Sequence, residues 1–432
     1  MIEKIIHKRD LENIKKTYND KLKQYKFQVL ICNGAACNSS QSTEVLNAAR
    51  QYLSANNLED KVMVIETGCM GMCAQGPLML ILPQRTFYTQ LSAEKVKQVL
   101  ESHIVNGKVL EEYTFYDKTL NKYIPKIDDI DFFKKQVKIT LRNCGIMEYG
   151  NIDAYIARDG YFAIYDYLKN KKSTDVIEQL KLSGLRGRGG AGFPAFLKWQ
   201  AGLDAQSDNK YIVCNADEGD PGAFMDRSIL EGDPHTLIEG MMFGGFAIGA
   251  KGGYVYIRAE YPLAVERLQT AINQAYGIGL LGKNIFESGF DFDLEIRIGA
   301  GAFVCGEETA LMSSIEGQRG EPKQKPPFPF QRGLFGKPTI INNVETLAAV
   351  PAIMLNGGDW YGKYGKENSR GTKVFALAGD IVNTGIIEIP IGMTVGDIVF
   401  EIGGGIINKE KLKSLQIGGP SGGCITMENL NV

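Results

Sequence analysis

The chain has 432 residues, with 48 Lys and Arg against 50 Asp and Glu. That length points to roughly two or three domains, and the near-neutral balance argues against nucleic-acid binding as the main task. The longest weakly polar run, Met241 to Ala250, is about half of the roughly 20 residues that span a bilayer, so no membrane span is expected.

Residues 1–24 alternate charged and apolar positions at helical spacing, without the uncharged stretch of a signal peptide. They read as an N-terminal helix on a cytoplasmic protein. Residues 25–106 give a strand (FQVLIC), a helix (Ser42 to Ala55), three strands (KVMVIE, LMLIL, RTFY) and a helix (Ser92 to His103), a small α/β module with cysteine loops after two strands. Residues 107–165, with Pro125 and the acidic run IDDIDFF, have no sustained period and read as a connector. In residues 166–365, β-branched runs (YIVCNA, GYVYIRAE, DLEIRIGAG) alternate with helical segments such as Leu263 to Gly277, the pattern of an α/β sheet domain. Residues 366–432 (KVFALAGD, GIIEIP, TVGDIVFEIGGG, SLQIGGPSGG) form a small β-rich module. The chain stops at Val432 soon after a strand and turn, which reads as a fragment or a short version of a longer architecture.

Four of the eight cysteines fall in two close pairs, Cys32-x4-Cys37 and Cys69-x3-Cys73. In a chain without a signal peptide, paired cysteines suggest a metal site. The two pairs are expected in loops with Gly34, Gly68, Gly71 and Gly76, whose backbones let amides approach bridging sulfides. Four thiolates fit a [2Fe-2S] cluster; a structural zinc is the alternative, although zinc sites of four cysteines usually use Cys-x2-Cys knuckles. Cys144, Cys214 and Cys305 read as small buried hydrophobes, and Cys424 by itself holds no cluster.

SGLRGRGGAGFPAFLKW satisfies Gly-x-Gly-x-x-Gly at Gly187, Gly189 and Gly192. A Rossmann fingerprint follows a strand, whereas STDVIEQLKLSGL ahead of this loop looks helical. A Gly-rich loop leading into a helix still suits a phosphate or a flavin ribityl chain. Arg186, Arg188 and Lys198 put positive charge beside it, and the next strand, YIVCNADEGDPGAF, ends in Asn215, Asp217, Glu218 and Asp220. Polar groups thus gather at the carboxyl end of a strand, where α/β sheets bind ligands. Two further loops repeat the theme: one carries Glu307 and Glu308, the other Lys323, Lys325, Asn342 and Asn343, with a proline-rich piece presenting Phe328 for stacking on an adenine. His235, in EGDPHTLIEG just before an expected helix, reads as a capping residue or as a support behind the site.

Residues 25–105 resemble the thioredoxin-fold ferredoxins, including the small [2Fe-2S] subunit of respiratory complex I. GLRGRGGAGFP, NADEGDPGAFMDR, CGEETAL, KPPFP and INNVETL resemble the flavin-bearing NADH-oxidising subunit of complex I and its soluble relatives, over about residues 140–432. The resemblance implies an N-terminal thioredoxin-like ferredoxin domain, a central Rossmann-like α/β domain for FMN and NAD(P)H, and a C-terminal β-grasp domain. It places FMN among Gly187, Arg188, Gly189, Gly190, Lys198, Asn215, Asp217, Glu218, Gly306, Asn342 and Asn343. Phe193, Asp220, Glu308, Lys325 and Phe328 would line the nucleotide site, with Glu308 near the nicotinamide and Glu307 beside it. Asp220 stands where that subunit usually has Glu, and Ala201 where an aromatic residue can occur, which bears on nucleotide affinity. The family's [4Fe-4S] motif has no counterpart in this chain.

The fusion of the two modules is similar to subunits of soluble NAD(P)-linked hydrogenases, including electron-bifurcating ones, and of NAD-dependent formate dehydrogenases. The expectation is an NAD(P)H:acceptor oxidoreductase subunit that passes single electrons to iron-sulfur partners; the rival is a non-catalytic iron-sulfur scaffold that only docks partners. A quinone- or ferredoxin-linked flavoenzyme oxidising a sugar or amino acid, which needs a catalytic His or Tyr facing the flavin, is disfavoured, since His7, His103 and His235 all lie outside these loops. NADH and NADPH are not separated by the sequence.

Overall fold

The computed structural model describes residues 4–420 and 422–431. Helix α1 (Lys8–Lys23) buries Leu11 on its apolar side and lies against helices of the central domain, with Lys8 paired to Asp166 at 2.8 Å. The N-terminal module follows: β1 (Phe27–Cys32), a short helix α2 (Ala35–Ser39), α3 (Ser42–Ala55), β2 (Val62–Thr67), β3 (Met79–Leu82), β4 (Thr86–Tyr88) and α4 (Ala93–Val99). Its sheet runs β2-β1-β3-β4, with β1 and β2 parallel and the others antiparallel. From Val29 to Cys32 strand β1 is a continuous apolar run because it is covered on both faces: Val29 and Ile31 face α3, while Leu30 and Cys32 face a second core shared with Ile387 and Ile389 of the C-terminal module.

The connector, residues 107–165, is ordered in two halves. The first forms a hairpin, β5 (Phe115–Asp117) and β6 (Lys122–Ile124), whose flanks extend the N-terminal sheet through bridges of Tyr88 with Thr114 and Thr86 with Lys126, followed by α5 (Asp131–Lys134). The second half holds α6 (Ile152–Ala157) and the start of α7 (Phe162–Asn170), and buries Tyr155, Ile156 and Tyr161 in the central core. Short helices of one or two turns escape a periodicity reading.

In the central domain, α8 (Ser173–Ser183), α9 (Ala195–Asp204), β7 (Tyr211–Ala216), α10 (Met225–Gly232), α11 (Pro234–Ile248), β8 (Gly252–Arg258), α12 (Pro262–Gly277), β9 (Gly282–Ile285), β10 (Phe290–Gly299), α13 (Glu308–Ile315), β11 (Thr339–Asn343), α14 (Val344–Asn356) and α15 (Gly358–Gly362) follow one another. The sheet order is β11-β7-β8-β10-β9, parallel except for the edge strand β9. The weakly polar run at Met241 belongs to α11, which is buried almost throughout. A Cβ on Gly240 would lie 2.2 Å from the Leu347 carbonyl oxygen, so glycine there is what lets α11 cross α14 at close range. Among the described residues no helix is long and apolar enough to cross a membrane.

The chain ends in short hairpins: β12 (Gly365–Lys366) with β13 (Ser369–Arg370), β14 (Thr372–Leu377) with β15 (Gly385–Pro390), and β16 (Ser414–Ile417) with β17 (Gly423–Thr426). A helical turn at Asp397–Ile402 separates the last two. A β-grasp sheet would join them, but among the described residues they pair as separate two-stranded ribbons.

Candidate functional site

The carboxyl ends of β7 and β11 lie side by side, with Asn342 opposite Cys214 and Asn343 opposite Asn215. This is the crevice that an open parallel sheet offers to a ligand. The Gly-rich loop closes over it: Gly187 N–H donates to the Phe193 carbonyl at 2.8 Å and Ala195 N–H to the Leu185 carbonyl at 2.9 Å, so the loop leaves and returns at one point before α9 begins. As expected, α8 and not a strand precedes it. Gly190 has φ +112° with open space where a Cβ would sit, whereas a Cβ on Gly189 would lie 3.1 Å from the Asn343 Cβ.

Inside the loop, Arg188 is buried; its backbone N–H donates to Thr346 Oγ1, and its Nη2 donates to the Tyr361 hydroxyl and the Arg370 carbonyl. Lys198 Nζ donates to the Ile341 carbonyl at 2.7 Å and lies 3.8 Å from Glu308. Burial lowers its pKa against the pull of Glu308. Asn215 donates to the Gly306 carbonyl at 2.8 Å and accepts the Asp217 N–H at 3.0 Å. Asn342 accepts the Trp199 indole N–H at 2.9 Å. Asn343 caps α14 through the Glu345 N–H and donates to the Asp226 carboxylate.

Carboxylates crowd this end of the sheet. Glu218 accepts the Asp226 and Arg227 N–H groups, so it caps α10; burial raises its pKa against those bonds. Asp226 is pushed well up, first by burial and then by Glu218 and Glu345. Lys373 offsets part of this charge, donating to Glu345 at 2.7 Å and to the Arg188 carbonyl at 2.9 Å. Sequence reasoning singles out none of Asp226, Glu345, Thr346, Tyr361 and Lys373; the first three lie inside the motifs quoted above, where nothing local sets them apart from their neighbours. Asp217 is raised to about 6 by burial, with Arg258 opposing.

Two features test the fit of a bound polar group. Arg188 Nε and Asp217 Oδ2 are buried without a hydrogen-bond partner, and a Cβ on Gly190 or Gly192 would meet nothing within 4 Å. Unsatisfied buried polar atoms, together with an open glycine loop, suit a ligand that brings its own donors and acceptors.

At the mouth, Lys325 bridges Glu307 (3.0 Å) and Glu308 (2.6 Å), while Glu307 also caps α13 through the Thr309 and Ala310 N–H groups. The two glutamates raise the Lys325 pKa against burial. Phe193 is 52% exposed and Phe328 43%. Phe328 stacks on Phe330, with centroids 5.7 Å apart, and not on Phe193. Phe303, 64% exposed, approaches Gly219 and is not marked out by any sequence signal. Asp220 meets Gly419 of the last hairpin loop. His235 lies within α11, fully buried between the Tyr161 hydroxyl and Gln274, so it is a core residue and not a cap.

The four paired cysteines meet. Cys32 ends β1, Cys37 sits on α2, Cys69 follows β2, and Cys73 opens a 3-10 turn; the expectation that all four lie in loops is thus corrected, since only Cys69 does. Cys32 neighbours Cys37 and Cys69, and the Cys69 and Cys73 sulfurs are 3.5 Å apart. The Gly71 N–H points at the Cys69 sulfur at 3.3 Å. Hydrogen bonding to Cys37 pushes the Cys32 thiol up, as bonding to Cys32 does for Cys69 and to Cys69 for Cys73. Four adjacent thiols lose their protons together only to a metal centre that supplies the countercharge. Among the described residues no three of His, Cys, Asp and Glu are set to hold one metal ion; the thiols form a row of neighbours, as a cluster with thiolates on two irons would use.

Residues 180–352 match the Nuo51 FMN-binding domain of complex I, and residues 16–103 the thioredoxin-like [2Fe-2S] ferredoxin. A subunit of the NADH-quinone oxidoreductase of Rhizobium meliloti is 45% identical over 68% of this chain and 70% of its own length. The chain belongs to the family of flavin-bearing NADH-oxidising subunits of complex I. Within that family it is similar to the HndC subunit of the NADP-reducing hydrogenase of Solidesulfovibrio fructosivorans, at 57% identity over 69% of this chain and 61% of the relative. The alpha subunit of the NAD-reducing hydrogenase HoxS of Cupriavidus necator is 36% identical over 93% of this chain and 64% of the relative. The chain therefore spans less than two thirds of the length of these two relatives. A crystal structure of an NAD+-reducing [NiFe]-hydrogenase superposes with a TM-score of 0.59 at 27% identity, covering 99% of this chain and 72% of that one. Family membership brings FMN and a [2Fe-2S] cluster as cofactors.

Proposed function

We propose that this chain is the NAD(P)H-oxidising subunit of a multisubunit NAD(P)-linked hydrogenase, exchanging hydride with NAD(P)H and single electrons with iron-sulfur partners. The observation that carries the reading is the meeting of the Gly-rich loop, Lys198, Asn215, Asp217, Asn342 and Asn343 at the carboxyl edge of the sheet, with α10 running from that edge to the four thiols. The relatives that are hydrogenase subunits support the hydrogenase setting over a formate dehydrogenase. The retained Asn, Asp and Gly residues weigh against a scaffold that only docks partners.

The chemistry that FMN supplies when bound is acceptance of a hydride and release of electrons one at a time. Around it, Gly187 to Gly190 offer a backbone cradle, while Arg188 and Lys198 supply positive charge. Asn215, Asn342 and Asn343 are held by their own hydrogen bonds, so their orientation costs nothing when the ligand arrives. Phe193 and Phe328 would offer their exposed rings to an adenine, and Glu308, steadied by Lys325, would lie near the nicotinamide. Cys32, Cys37, Cys69 and Cys73 would hold the cluster. The last hairpins, paired as separate ribbons, occupy the place of the family's β-grasp module.

Anaerobic reconstitution with iron, sulfide and FMN, followed by NADH or NADPH, tests this. The expected result is bleaching of flavin absorbance and a rhombic [2Fe-2S] EPR signal, with the faster nucleotide naming the substrate. Bound FMN that stays oxidised with both nucleotides overturns the reading.

A further inference from the structure

We propose that Glu231 and Arg227, both on α10 of the flavin domain, set the reduction potential of the cluster in the N-terminal module. This rests on reading Cys32, Cys37, Cys69 and Cys73 as its ligands.

Glu231 is buried, and its Oε2 accepts the Ala35 N–H at 2.9 Å. Ala35 opens the helix that carries Cys37. The next residue of α10, Gly232, packs so closely on Gly68, the residue before Cys69, that a Cβ on Gly68 would lie 2.3 Å from the Gly232 Cα. Arg227 Nε lies 3.7 Å from Glu231 Oε1, one turn back along the helix. Arg267 completes the joint by donating to the Glu231 carbonyl at 2.9 Å and to the Asn33 carbonyl at 2.8 Å. The carboxylate thus reaches the helix that carries Cys37 from a different domain, with the guanidinium paired to it.

An iron-sulfur cluster's potential follows net charge, hydrogen bonding and exposure around it. Reduction adds one electron, supplied from the nicotinamide nucleotide through the flavin, so a buried negative charge nearby opposes it and a positive one favours it. Charge effects are large where water is excluded. Glu231 therefore holds the potential down and Arg227 holds it up, and docking of the two modules becomes part of the cluster's tuning.

The test is an EPR-monitored redox titration of the reconstituted full chain as wild type, E231Q and R227Q. The expected result is a more positive midpoint in E231Q and a more negative one in R227Q. A packing defect common to both variants would not move the potential in opposite directions. Unchanged midpoints, or shifts of the same sign, with clusters assembled overturn the proposal and leave the ligand reading intact. Where E231Q fails to assemble, the shift in R227Q decides. A wild-type chain that assembles no [2Fe-2S] cluster overturns the ligand reading and this inference with it.

Discussion

Asp217 shows how a binding residue can work against the fold that carries it. Burial raises its pKa from 3.8 to about 6, and one of its oxygens has no partner. The native state therefore disfavours the ionised form, and this residue's drag on stability grows as pH rises from about 4 to about 6, then levels off. D217N should raise the thermal midpoint of the FMN-free protein at pH 7.5 and much less at pH 4, while FMN dissociates faster in a flavin-release assay. Gly190 carries a second expectation. Its φ of +112° strains any other residue although the space is open, so G190A should cost about 1–3 kcal/mol by backbone strain alone. Chemical denaturation measures that cost, and a neutral result would show that the loop relaxes.

Between elements, the tightest seam lies where the cysteine loop meets the end of α10. A Cβ on Gly68 would press on backbone, which cannot rotate away. G68A should destabilise by about 1–3 kcal/mol and broaden the cluster's EPR signal, while flavin binding, on the far end of α10, persists. Helix α11 carries a different liability. Burial lowers the His235 pKa from 6.5 to about 4, so the unfolded chain takes up this proton first. The stability it contributes is complete above about pH 6.5 and is lost as pH falls towards 4, by about 1.4 kcal/mol per unit. H235Q should be less stable at pH 7.5 and show a shallower loss between pH 6.5 and 4, read from urea midpoints.

At the scale of the molecule, the N-terminal and central modules fold around each other. Arg267 is almost fully buried, stacks 3.4 Å from the Tyr149 ring centroid and donates to carbonyls of both modules. R267A should cost about 3–5 kcal/mol and split a single calorimetric transition into two. A single transition at an unchanged temperature would mean that the modules hold together without it. The C-terminal strand β15 closes the other side, where Ile386 N–H donates to the Gly71 carbonyl at 2.7 Å. Three parts of the chain thus enclose the cysteine loops.

What the sequence determined by itself was local or motif-borne. Strands YIVCNA and GIIEIP and helix Ser42–Ala55 fall where periodicity put them, because each buries a continuous run or a clear face. Cysteine spacing and the Gly-rich loop named the residues that meet at the two centres. Tertiary structure alone decided that α1 packs on the central domain, that the connector is built into two cores, and that Glu231, Arg227 and Arg267 join the centres. Such contacts link positions far apart, 234 residues for Arg267 and Asn33, and a charged side chain reads the same in sequence whether it faces water or a neighbouring domain. The partners that bury it are chosen by the packing of whole elements, which no local pattern records.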